Sequence, residues 1–184
     1  MSEQRPAELY LEVHRQKAFS HLPPLRRLGS YLASLVSGGY PPSVSLAVVR
    51  PEGVVLEAFG GFACVVGEMV ATTAETSYDL ASLTKVVATV TLSLVAQQRG
   101  GLCPDDAVRR WLPGFPQPHT TLGHLLTHTS GLVEHRPFYA SEHGREAIEA
   151  AVYAEAAQAR PGQAVRYSDL NFMLLGWVLE AYFG

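Results

Sequence analysis

The sequence predicts an α+β protein in two parts, a small helix-covered antiparallel sheet followed by a helical region. Three observations carry this. Leu25, Leu28, Leu32, Leu35 and Val36 recur at helical spacing up to Gly38-Gly39. Val44, Leu46 and Val48 then alternate with smaller residues, Arg50-Pro51-Glu52-Gly53 supplies a turn with proline second and glycine fourth, and Val54 to Phe62 returns as a strand. After about residue 82 no convincing strand follows, only helical stretches and loops. A helix leading into an antiparallel hairpin indicates a helix laid over a sheet.

Taken in order, Ala7 to Ser20 carries Leu9, Leu11, Val13 and Ala18 among charges and is expected as a helix, interrupted at His21-Leu22-Pro23-Pro24. Ser82 to Arg99 reads as a largely apolar helix buried on most faces and stopped by Gly100-Gly101. Leu102 to Asp106 opens a short helix that ends near Trp111-Leu112-Pro113, and Thr121 to Thr127 forms another. His143 to Ala159 is alanine-rich and helical, stopped by Arg160-Pro161-Gly162. Asn171 to Phe183 closes as a strongly apolar helix. The expected division is 1–81 for the early helices and hairpin and 82–184 for the helical part. A lone hairpin is marginal in water. Its open edge and apolar face (Val44, Leu46, Val48, Val54, Leu56) make strand-mediated self-association an expected hazard.

With 184 residues, 47% hydrophobic and 17% charged, the chain has the composition of an ordinary soluble globular protein. A formal net charge of −3 gives nucleic acid or an acidic membrane surface no foothold, so neither is an expected partner. The first eight residues lack the basic start and apolar run of a secretory signal, and no stretch approaches a membrane span. Cys64 and Cys103 have no metal spacing and read as free thiols of a reducing compartment, so a cytoplasmic location is expected.

The candidate chemistry starts at Ser82-Leu83-Thr84-Lys85, where a polar approach runs into the apolar stretch. A serine in the first turn of a helix and a lysine three residues on share one face. A hydroxyl becomes a nucleophile when a neighbouring base takes its proton, and a lysine serves if its surroundings lower its pKa. Only Lys17 and Lys85 among the 14 basic residues are lysine, so the choice at Lys85 points to a need arginine cannot meet. Val86, Val87, Ala88 and Val90 follow, with no carboxylate near to pair it.

A second cluster, Tyr167-Ser168-Asp169, precedes the last helix. A tyrosine and a short acceptor two residues apart on such a loop can face one pocket, and a tyrosine near a cationic lysine loses its proton more easily. Read alone, the pair is better taken as a tyrosine and a helix-capping aspartate. Other candidates are weaker. His124 and His128 lie four apart, flanked by His119 and His135, but no carboxylate or cysteine completes a metal site, so neither metal nor cofactor is expected. Ser130 and Ser168 lack a supporting lysine or histidine, and no Gly-x-Ser-x-Gly elbow occurs.

Together and in this order, the two clusters resemble the serine β-lactamase-like superfamily: class C β-lactamases, related esterases and low-molecular-weight penicillin-binding proteins. In that family a Ser-x-x-Lys helix is followed by a Tyr-x-Asn element. The resemblance also covers Leu125-Leu126-Thr127-His128-Thr129-Ser130-Gly131-Leu132, Pro161-Gly162 and Leu174-Leu175-Gly176. It runs from the hairpin near Val44 to the last residue. It implies the β-lactamase-like fold, an α+β sheet domain and an all-helical domain with the active site between them. It also implies Ser82 as nucleophile, Lys85 as base partner and Tyr167 as proton shuttle toward the leaving group. Asp169 stands where stricter members have asparagine, at a substrate-contacting position, and an ionised carboxylate there only accepts hydrogen bonds.

The family's third motif, a Lys- or His-Thr/Ser-Gly triplet on a late strand, does not follow Tyr167 in these residues. The resemblance therefore reads as the first half of such a protein, weak or inactive alone. What it implies of the intact protein is a serine hydrolase of esters or amides, foremost a carboxylesterase, taking a small-molecule ester, amide or β-lactam. The alternative is a penicillin-binding sensor or scaffold that does not turn over.

Overall fold

A computed structural model describes residues 9–12, 23–155 and 157–184. They fall into two compact units, Met1–Asp79 and Leu80–Gly184.

In the first unit, α1 (Pro23–Ser37) opens on two prolines and ends where Gly38 and Gly39 donate back to the carbonyls of Ser34 and Val36. Strands β2 (Ser43–Arg50) and β3 (Gly53–Cys64) form the expected hairpin. Pro51 and Glu52 make its turn, and Gly53 takes φ +126°. Val44, Leu46 and Val48 lie opposite Gly60, Ala58 and Leu56, which puts the alternating apolar residues on one face. Val55 is then the extra residue of a bulge, because Val48 pairs with Leu56 and Val49 with Val54.

The hairpin is not alone. Leu9–Glu12 is a strand, β1, antiparallel to β3 with Leu9 opposite Gly60, and it corrects the helix expected over Ala7 to Ser20. Leu9, Leu11 and Val13 also fit a period of two, so the apolar pattern there suits a strand as well as a helix. The remainder of that expected helix lies outside the described residues. A two-residue strand, β4 (Val70–Ala71), pairs with the far end of β3. The sheet order is β1-β3-β2. Helix α1 packs on it as expected and buries Leu32 and Val36; Leu56 of the apolar face is buried, Val44, Leu46 and Val48 are half-buried and Val54 stays exposed. Ser43 ties the start of β2 to the chain after β4 through Thr72 at 2.7 Å and Tyr78 at 2.5 Å.

The second unit is built on α5 (Asp169–Phe183), which begins two residues earlier than expected. Its residues Leu170, Leu174 and Val178, and Asn171, Leu175 and Leu179, form two adjacent buried stripes. Around it pack α3 (Leu122–Leu126) and the short 3₁₀ turn Val108–Arg110, where a helix was expected. Helix α4 (Arg145–Ala154) is shorter than the His143–Ala159 span expected. The core comprises Val108, Phe115, Leu125, Leu132, Val152 and the α5 stripes.

The apolar stretch after Ser82 is helical but begins irregularly. A π-helical segment, Lys85–Val90, runs into α2 (Thr91–Gln98). Only Ser93 and Ala96 of α2 are buried, while Leu83, Val86, Val87 and Leu94 are 56–60% exposed. The expected burial on most faces is therefore not seen: among the described residues nothing covers that face. No helix of the described residues is long and apolar enough to cross a membrane.

Candidate active site

Ser82 sits in a tight turn just ahead of the π-helical segment, and the amides of Leu83, Thr84 and Lys85 donate to the carbonyls of Leu80, Ala81 and Ser82. Ala81 is held at φ +44°, a conformation that alanine rarely adopts and that costs on the order of 1–3 kcal/mol. Thr91 closes the wide turn by donating to the carbonyl of Val86 at 3.0 Å. Such widened turns recur at functional sites. The result is an exposed Ser82 with Lys85 beneath it, Nζ to Oγ 3.2 Å.

The second unit brings Tyr167 and Asp169 to the same place. Lys85 Nζ donates to Asp169 Oδ1 at 2.7 Å and lies 5.0 Å from the centre of the Tyr167 ring. The Tyr167 hydroxyl hydrogen-bonds to both Ser82 and Lys85. Ser82, Lys85, Tyr167 and Asp169 thus form one connected cluster, from sequence positions as much as 87 apart.

The electrostatics correct one expectation. Catalysis by a free Lys85 amine asks for surroundings that lower its pKa. Burial does pull it down, but the Asp169 carboxylate and the Tyr167 oxygen outweigh that, and the net direction is upward. The carboxylate absent from the local sequence arrives 84 residues later in the chain. Tyr167 moves the opposite way, pulled below its ordinary value by its hydrogen bonds from Ser82 and Lys85. Asp169 is held below its ordinary value by Lys85 and His135, and it occupies the first turn of α5, where the helix dipole favours a carboxylate. The cluster therefore pairs a firmly protonated ammonium with an acidified phenol.

What positions Tyr167 is the segment 128–135, which binds the 158–171 stretch bond by bond. The carbonyls of His128, Thr129 and Gly131 accept from the amides of Arg166, Gly162 and Gln158. His128 Nδ1 accepts from the Ser168 amide at 3.1 Å, and its ring stacks on Tyr167 with centres 4.5 Å apart. Burial and the nearby Lys85 charge hold the His128 pKa down, which keeps that nitrogen an acceptor. Ser130 donates to Asn171 at 2.5 Å, Ser168 to the Val133 carbonyl at 2.6 Å, and the Asp169 amide to the Glu134 carbonyl at 2.8 Å. Gly131 has to be glycine: at φ +83° a Cβ would fall 2.0 Å from the Ala159 carbonyl oxygen.

This disposes of the rival nucleophiles. Ser130 and Ser168 are buried and spend their hydroxyls on structural hydrogen bonds. His124 is likewise engaged. Its Nδ1 accepts from the Thr121 amide at 3.1 Å while Thr121 Oγ1 accepts from the His124 amide, a capping box with histidine in place of glutamate. Among the described residues no group of three metal-ligating side chains comes together. One participant escaped the sequence reading. His135, weighed there only as a flank to a metal site, places Nδ1 3.0 Å from Asp169 Oδ2. No local pattern marks it, since its partner is 34 residues away.

Comparison with known proteins adds three findings. Residues 32–184 match the family model described as Beta-lactamase. A protein of Escherichia coli (strain K12) named "Putative D-alanyl-D-alanine carboxypeptidase" is 28% identical over 195 residues, covering 94% of this chain and 45% of that protein. The chain thus spans about half the length of this relative. Among solved structures, a class C β-lactamase superposes with a TM-score of 0.75 at 22% identity, over 90% of this chain and 47% of that one. SurE, crystallised with D-Leu, superposes with a TM-score of 0.67 at 30% identity, over 85% of this chain and 36% of that one. The fold is β-lactamase-like, represented here in part.

Proposed function

Because the chain belongs to the Beta-lactamase family, we propose that the whole protein is a serine hydrolase that opens an ester or amide through an acyl-enzyme on Ser82. The observation that carries this is the hydrogen-bonded cluster of an exposed Ser82, a Tyr167 of lowered pKa and an ammonium on Lys85. Tyr167 in its phenolate form takes the Ser82 proton as Oγ attacks the carbonyl carbon. The oxyanion that forms is met by the Ser82 backbone amide. Collapse breaks the bond to the leaving group, which takes the proton from Tyr167. Water then attacks the acyl-enzyme and gives a proton to Tyr167, which passes it to Ser82 Oγ as the acyl–oxygen bond breaks, releasing the carboxylic acid and restoring the serine hydroxyl and the phenolate. Lys85 keeps its proton throughout, stabilising the phenolate from the ammonium position that Asp169 fixes.

Within this class, a carboxylesterase is the finer reading. Both Asp169 oxygens are occupied, one by Lys85 and one by His135, and the position has no amide N–H to offer a substrate carbonyl. That favours a compact ester over a substrate held by an acylamino group. Cleavage of a D-alanyl peptide is the second reading, favoured by the name of the Escherichia coli relative. A penicillin-binding sensor is the third. Chromogenic esters, a D-alanyl-D-alanine peptide and a fluorescent penicillin, offered to the full-length protein, separate them. Ester turnover supports the first reading and release of D-alanine the second. A penicillin adduct that persists without turnover supports the sensor. Absence of any Ser82 adduct with all three contradicts the acyl-enzyme itself.

A further inference from the structure

The Lys85–Asp169 pair has an unassigned third member. Asp169 has two oxygens, and the structure gives each one partner: Oδ1 takes Lys85 at 2.7 Å and Oδ2 takes His135 Nδ1 at 3.0 Å. We propose that His135 is a positioning residue for the reaction proposed above, holding the Asp169 carboxylate in the rotation that locks the Lys85 ammonium under Ser82. The role rests on that acyl-enzyme reading.

Three anchors in a row support it. Val133, Glu134 and His135 are successive residues, and each holds the start of α5: the Val133 carbonyl by Ser168 Oγ, the Glu134 carbonyl by the Asp169 amide, and His135 through the Asp169 side chain. The first two fix the backbone of residues 168 and 169. Only the third acts on the carboxylate, whose remaining freedom is rotation about its side-chain bonds. A carboxylate with one oxygen bound can turn that oxygen away from Lys85 or exchange the two. With both oxygens bound to groups on separate segments, it has one orientation. His135 is more than half exposed, so its ring is not there to fill a core. The neighbouring Arg136 is committed elsewhere, to Glu155, and does not compete for Asp169.

The chemistry fixes the tautomer. An ionised carboxylate only accepts, so Nδ1 carries a hydrogen, and whenever the ring is neutral that hydrogen sits on Nδ1 and not on Nε2. An imidazole in water prefers the other form, which makes the tautomer a signature of the contact. An asparagine at 135 can place its Nδ2–H₂ close to where Nδ1–H sits, while an alanine cannot.

The test has two arms on the same protein. Long-range ¹H–¹⁵N spectra of ¹⁵N-histidine-labelled protein are recorded at a pH where His135 is neutral, its signals assigned by their loss in His135→Asn. The Nδ1–H form is expected, changing to Nε2–H in Asp169→Ala. In the second arm, the rate of Ser82 labelling by a fluorescent penicillin or a fluorophosphonate is expected to fall about tenfold in His135→Ala and to recover in His135→Asn. An Nε2–H tautomer in the unaltered protein overturns the proposal, as does a His135→Ala protein that labels at the unaltered rate. An unaltered protein that takes neither label overturns the acyl-enzyme reading and this role with it, whereas normal labelling insensitive to residue 135 overturns this role alone.

Discussion

The two sides of the candidate site are held in opposite ways. Tyr167 stands on a loop bonded residue by residue to the segment 128–135, and Asp169 opens α5, whose two stripes are the centre of the core. Ser82 and Lys85 stand on a turn that leads into an apolar helix with most of its large side chains exposed. One side is fixed by burial and satisfied polar groups. The other is fixed by local backbone, a positive φ at Ala81 and a π-helical turn, and by the ion pair that joins it to the first. Among the described residues the surplus of constraints lies on the tyrosine side.

The largest effect expected is on the thinly packed side. Ser82→Ala should abolish acylation, by a factor approaching roughly a million in the intact enzyme, while leaving the melting temperature nearly unchanged. Peptide mapping of the adduct in the unaltered protein checks it, and a label on buried Ser130 or Ser168 would break the assignment. Tyr167→Phe removes the proposed base but keeps the stacking on His128, so a loss of about a hundred- to ten-thousand-fold in acylation is expected with little loss of stability.

Packing should show the reverse asymmetry. Leu174→Ala, at a fully buried position of α5, should cost about 2–5 kcal/mol in denaturant unfolding. Val87→Ser, at a position 60% exposed on the nucleophile helix, should stay within about 0.5 kcal/mol. Equal losses at the two positions would mean that the helix face is covered in solution.

The parts legible in the sequence are those whose cause is local. The turn Arg50-Pro51-Glu52-Gly53 fixes its hairpin by composition, and the apolar run of α5 could hardly be anything but a buried helix. The spacing of Ser82 and Lys85 and the resemblance that brought in Tyr167 were visible because a motif is itself a local pattern. What was not legible depends on partners far along the chain. Leu9–Glu12 became a strand because an edge of β3 was available to it. The composition after Ser82 suits a buried helix, yet burial belongs to a pair of surfaces and composition describes only one. Above all, the sense of the Lys85 shift turned on Asp169, 84 residues away. From the residues around Lys85 alone the opposite sign follows.

That sign is also the central claim: Tyr167 is the group that gives up its proton first, and Lys85 is a fixed ammonium. Linkage sets the corresponding stability windows. Lys85, raised in the fold, contributes stability that is full below 10.5 and is lost as pH rises through its folded value. Asp169, lowered in the fold, contributes stability present above 3.8 and lost as pH falls through its folded value. The chain has only two lysines, so Lys85 is readily resolved by ¹³C-labelling at Cε, and Tyr167 by labelling at Cζ with Tyr167→Phe for assignment. The direct measurement is an NMR titration of these two carbons in one sample. The account predicts a Tyr167 midpoint below 10 and a Lys85 midpoint above 10.5, with the lysine midpoint dropping in Asp169→Asn. A Lys85 midpoint below that of Tyr167 would contradict it and return the role of base to the lysine.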